Sequence, residues 1–149
     1  MRVLLYRRAG GGRQMFSVQV GPVAGAAVFQ LRGELDFESV VQLDEAAAAA
    51  LTVRPVPRVI VIDCASLSFC DSSGIGGLVR LYQRLSAQGG QLRLAAAPAP
   101  VARVLSLTGL DQVIPVHATT GEALAVARST GGRAADDSVE IVVRERGRG

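Results

Sequence analysis

The run Asp71-Ser72-Ser73-Gly74 sets one carboxylate and two hydroxyls directly before a helical pattern. A helix start leaves backbone N–H groups unbonded and carries the positive end of the macrodipole, so it accommodates a carboxylate or a phosphate. On one reading, Asp71 or Ser72 is a helix cap and nothing more, worth about 1 kcal/mol. On the other, a serine here accepts a phosphate. The modification places about two negative charges and three acceptor oxygens beside Asp71. It would spoil an apolar contact made by Gly74, Ile75 and Leu78, which is how an interface is switched on and off.

A second acidic set, Gly33-Glu34-Leu35-Asp36, follows a strand-like run. Extended backbone puts Glu34 and Asp36 on one face, and Asp36 is expected near Asp71. Paired carboxylates serve metal or acid–base chemistry, but no His or Lys base accompanies these two. Capping and solvation are the other reading. His117 is the single histidine, and the serines lack the Gly-x-Ser-x-Gly elbow. Cys70 has no basic neighbour to activate it. Gly74-x-Gly76-Gly77 has neither the Lys-Ser/Thr of a phosphate loop nor dinucleotide glycine spacing. Cys64, Cys70 and a distant His117 do not make the four ligands of a structural zinc site. No active site, metal or cofactor is expected, and nothing indicates an oxidising compartment, so the thiols are read as reduced.

These groups need elements to position them. Phe16–Val20 and Ala26–Leu31 read as two strands of a hairpin, with Gly21-Pro22 and Gly25 between them. Phe37–Thr52 carries a helical stripe of Val40, Leu43, Ala47 and Leu51 after Asp36 as its cap. The unbroken β-branched run 58–63 predicts a central strand, followed by a seven-residue crossover to a helix over Ser72–Ala87. Gln91–Ala96 is a strand, and Pro98 opens a helix over Ala99–Thr108 that Gly109 stops. Val113–Val116 is a short strand. Thr119-Thr120-Gly121-Glu122 has capping-box spacing and starts a helix to about Arg128. The ββαβαβαβα order predicts an α/β domain.

The 149 residues hold 49% hydrophobic and 19% charged residues, enough for one domain with a buried core. No apolar run reaches the ~18 residues of a membrane span, which excludes membrane insertion. The net charge of +3 comes from arginine alone, without lysine. Residues 1–14 contribute +4, 15–128 −1 and 129–149 zero, so the body has no basic stripe and nucleic acid is excluded as a partner. Residues 1–14 are read as a flexible Arg-rich segment without a signal-peptide core. Met15 is an alternative start. Residues 15–128 are the domain and 129–149 a flexible tail, with Ser138–Val143 as a further short strand. A cytoplasmic location follows.

Leu31-Arg32-Gly33-Glu34-Leu35-Asp36, then Val59–Asp63, then Leu67-Ser68-Phe69-Cys70-Asp71-Ser72-Ser73-Gly74-Ile75-Gly76 closely resembles the STAS domains of bacterial anti-sigma-factor antagonists. Gly89-Gly90-Gln91-Leu92 and Val104-Leu105-Ser106-Leu107-Thr108-Gly109-Leu110 continue the pattern in order. The resemblance implies a STAS-like mixed β-sheet of four to five strands flanked by about four α-helices, the helices on one side. It implies a non-enzymatic partner switch whose phosphorylation site is Ser73. Its partners would be an anti-sigma factor that is also a serine kinase, bringing its own ATP, and a PP2C-type phosphatase. Asp36, Ser39, Asp71 and Ser72 would shape the phosphoacceptor pocket, and Gly74, Ile75 and Leu78 would form part of the partner-binding surface. The alternative in the same fold is a non-switching scaffold subunit of a lipid-transport ATPase; the intact Asp71-Ser72-Ser73-Gly74 favours the switch. Two departures stand out: Cys70 replaces a larger apolar residue, and Phe37-Glu38 replaces a polar pair. Whether the protein is a monomer or a homodimer is left open.

Overall fold

Apolar, β-branched runs of the chain become the strands of one mixed sheet, and the stripes with helical spacing cover it. The computed structural model describes residues 4–7 and 16–125. The strands are β1 (Leu4–Arg7), β2 (Ser17–Val23), β3 (Ala26–Leu35), β4 (Val59–Cys70), β5 (Gln91–Ala95) and β6 (Val116–His117). Between them lie α1 (Val40–Thr52), α2 (Ser72–Ala87), α3 (Ala99–Thr108) and a 3-10 turn at Leu110–Gln112. A last helix, α4, occupies residues 120–125. The strands follow one another across the sheet in chain order, β1 to β6. β1, β2 and β3 are antiparallel; β3, β4, β5 and β6 are parallel.

Alternation along β3 turns Phe29, Leu31 and Leu35 to one face, where they meet Ile60, Ile62, Leu92 and Leu94. The same core takes Leu43, Ala46, Ala47 and Ala50 of α1, Leu78, Leu81 and Leu85 of α2, and Val101 and Leu105 of α3. Small residues let α1 and α2 approach closely: a Cβ on Gly77 would stand 2.5 Å from Val40 Cγ2. Across that seam Arg80 holds Asp44 at 2.9 and 3.2 Å. On the other face a smaller cluster joins Val59, Val61 and Ala95 to Ala123 of α4. Helices therefore lie on both faces, where the family resemblance implied one.

The α/β class and the mixed sheet are as expected, with a sixth strand at the edge. That strand, β1, falls within the segment read as flexible; its Leu-Leu-Tyr-Arg backbone pairs with β2, whose outer edge would otherwise carry unpaired amides. α1 begins at Val40 rather than Phe37, because a tight turn over residues 37–39 intervenes. β6 lies at Val116–His117 instead of Val113–Val116, since the chain coils on after Gly109 and the Val113 and Ile114 amides both donate to Leu110 O. α2 and α3 span the expected residues, and Gly109 ends α3 at φ 77°. Glu122 N donates to Thr119 Oγ1 at 3.0 Å and Ala118 N to Glu122 Oε1 at 3.3 Å, a reciprocal cap for α4. The expected end of that helix near Arg128, the Ser138–Val143 strand and the tail lie outside the described residues.

Candidate functional site

β4 does not stop at Asp63. It runs on to Cys70, so the expected seven-residue crossover is strand, paired with β3 as far as Leu35↔Cys70. The polar residues Ser66 and Ser68 break the apolar run, which hides the continuation in the sequence. Register shifts between Gln30 and Arg32 and between Gly33 and Glu34 let the longer β4 keep step with β3. Both strands thus end side by side. Asp71 N donates to Leu35 O at 3.3 Å, and the two acidic motifs emerge at one corner of the sheet, Asp36 from β3 and Asp71 from β4.

Each aspartate fixes the backbone that follows it. Asp71 is the N-cap of α2: its Oδ1 accepts from Ser73 N at 2.9 Å and Gly74 N at 3.1 Å, while its carbonyl accepts from Ile75 N at 3.0 Å. Of the two capping candidates, Asp71 takes the role and Ser72 is exposed. Asp36 Oδ1 accepts from Glu38 N and Ser39 N, both at 3.0 Å. Ser39, fully buried, donates through Oγ to Glu34 O at 2.7 Å and accepts from Asp36 N at 2.9 Å. Ser39 is therefore the staple of the turn rather than a group open to a ligand.

Ser73 is half-buried at the start of α2, with its amide held by Asp71. Gly74 is enclosed: a Cβ there would meet Cys70 Sγ at 2.8 Å and both Cγ and O of Leu35 at 2.9 Å. Leu78 is 2% exposed in the core, so neither Gly74 nor Leu78 presents the contact surface expected of it. The helical stripe of α2 points inward, and Leu78 belongs to that stripe. Ile75 is half-buried and packs against the core. The apolar groups that do face solvent at this corner are Phe37, 79% exposed, and Phe69, 45% exposed, with Val41 on α1. The Phe37-Glu38 departure was the sequence signal for the first; nothing marked Phe69, because the strand carrying it was read as a loop.

Both thiols are buried, which disfavours the thiolate. Burial, with Asp71 adding to it, pushes Cys70 up to about 12, and burial pushes Cys64 up to about 12 as well. Both are free thiols. Among the described residues no three His, Cys, Asp or Glu side chains are placed to hold a metal ion. No described helix is long and apolar enough to cross a membrane. His117 lies at the far edge of the sheet, away from the serines. What the corner offers is a hydroxyl at a firmly capped helix start, with Phe37 and Phe69 exposed on the segments that end β3 and β4.

Comparison with known proteins places the domain. The family model described as the STAS domain matches residues 17–123. The chain is 31% identical over 97 residues to the anti-sigma F factor antagonist of Paenibacillus polymyxa, covering 62% of this chain and 79% of that protein. A crystal structure of an anti-sigma factor antagonist from Mycobacterium paratuberculosis superposes with a TM-score of 0.67 at 30% identity, covering 76% of this chain and 94% of that one. The Bacillus cell-fate determinant SpoIIAA in its phosphorylated form superposes with a TM-score of 0.58 at 28% identity, covering 72% and 96%.

Proposed function

The chain belongs to the STAS domain family, and from that premise we propose that it is an anti-sigma factor antagonist switched by phosphorylation at Ser73. Unmodified, it binds an anti-sigma factor that is also a serine kinase and so releases a sigma factor. Phosphorylated on Ser73 by that partner, it lets go, and a PP2C-type phosphatase restores it. It works in the cytoplasm, and ATP belongs to the partner. The likeness to antagonists, one of them solved phosphorylated, supports the reading.

The observation that carries it is the occupancy of the α2 start. The amides of Ser73 and Gly74 are taken by the Asp71 carboxylate and that of Ile75 by the Asp71 carbonyl. A phosphate on Ser73 finds these donors in use and a like charge beside it, so it projects outward. There it meets whatever lies against Phe37 and Phe69. A double negative charge desolvated without a partner costs an interface several kcal/mol, on the order of a 100-fold loss of affinity or more.

The test is peptide mass spectrometry after incubation with ATP and the anti-sigma kinases of the same genome, with native gels for the complex. One phosphate on Ser73 and loss of the complex are expected. Ser73→Ala should stay unphosphorylated and bound, and Ser73→Asp should bind about 100-fold more weakly. Phosphate entering Ser72 of the Ser73→Ala variant would overturn the assignment of the acceptor. Co-purification with a transporter ATPase and no phosphorylation by any kinase would move the protein to the scaffold role.

A further inference from the structure

On the sheet face turned away from α1, α2 and α3, two positions break the rule that buried polar groups are paired. Arg93 stands in β5 opposite Val61 of β4, and the next row across the sheet runs Gln30, Asp63, Ala95, His117. Arg93 donates one Nη2 bond to Gln91 Oε1 at 2.6 Å. Its Nε is buried with no partner, and so is Nε2 of His117 beside it. No carboxylate among the described residues pairs with the guanidinium. Asp63 Oδ1 accepts from Ala65 N at 3.0 Å, and Glu122 Oε1 accepts from Ala118 N at 3.3 Å.

A guanidinium does not shed its proton, so a buried N–H on it needs an acceptor. The neighbouring ring responds in the same sense: burial first, then Arg93, lowers the His117 pKa, with Glu122 opposing. Two buried nitrogens on neighbouring strands are without partners, and the one on the fixed cation requires an acceptor. We propose that Arg93 and His117 form a binding site for one oxyanion, a carboxylate or a phosphate group, on the face of the sheet opposite the helices that frame Ser73. Two sources share this chemistry: a free oxyanion, or a carboxylate of the chain itself, since Asp136, Asp137 and Glu140 follow α4 in the sequence.

The experiment uses the full chain with 15N-labelled arginine and histidine, titrated with sodium phosphate at constant ionic strength. For a free oxyanion, the Arg93 Nε–H resonance moves downfield and saturates, and the His117 pKa rises as the anion accumulates. Arg93→Gln then binds phosphate at least about tenfold more weakly. For an internal carboxylate, the native chain ignores phosphate, while the triple variant Asp136→Asn, Asp137→Asn, Glu140→Gln shifts the Arg93 Nε–H upfield and becomes responsive to phosphate. Arg93→Met, which keeps the packing of the stem, serves if the Gln variant does not fold. The proposal is overturned if phosphate leaves Arg93 unmoved in both the native chain and the triple variant, or if an Arg93 substitution placed in whichever of those two chains responds to phosphate leaves its phosphate affinity unchanged.

Discussion

Two polar regions lie on neighbouring strands of one sheet and are built in opposite ways. At the corner where β3 and β4 end, the Asp36 and Asp71 carboxylates and the Ser39 hydroxyl hold five backbone amides among them. Across the sheet, Arg93 Nε and His117 Nε2 are buried without a partner, and the guanidinium has a single bond, from Nη2 to Gln91 Oε1. The first region uses its charges internally, to fix a backbone whose outward groups are a serine and two phenylalanines. The second leaves part of its guanidinium uncommitted. A protein that presents a surface to a partner needs the first arrangement; one that takes up a small charged group needs the second.

If the corner is held by packing as well as polar bonds, the largest loss of stability comes from filling its one enclosed glycine. Gly74→Ala should cost about 2 kcal/mol, because the new methyl meets the Leu35 carbonyl as well as two side chains. Urea denaturation measures it, and an unchanged midpoint would show that the corner yields easily. Asp71→Ala should cost about 1 kcal/mol by the same assay, the value of a helix cap.

The second region should show itself through pH. Because His117 is held below its ordinary 6.5, the folded chain resists protonation there and the unfolded chain does not. Its contribution to stability is present above pH 6.5 and is lost as pH falls through the lowered folded value. Melting temperatures should therefore fall less between pH 7 and 5 in His117→Gln than in the native chain, and equal slopes would remove His117 from the account. The smallest effect is expected at neither region: Asp44→Ala breaks an ion pair whose side chains are 49% and 35% exposed, and should cost about 0.5 kcal/mol or less.

The sequence made the order of elements legible because local signals agreed with the fold. Pro98 and Gly109 bracket α3, and Thr119 and Glu122 make the reciprocal cap their spacing predicts. It also brought Asp36 and Asp71 together. Hidden were the features set by pairing across strands. The second half of β4 sets Ser66 and Ser68 between Ala65, Leu67 and Phe69, which ends the unbroken apolar run, and its register with β3 shows that the strand continues. The same blind spot concealed Phe69. Leu78 shows a different limit: a residue beside a motif is not thereby on the surface, and its place in the α2 stripe already put it in the core.

The occupied amides at the start of α2 also bear on time. In the switch proposed above, a phosphoryl group on Ser73 that gains no new bond inside the domain would leave the fold as it is, with neither form strained relative to the other. The switch then has no spring of its own. How long the protein would stay silent under the proposed switch is then set by how often a phosphatase reaches the ester on Ser73, which would make the off state a clock kept by another enzyme.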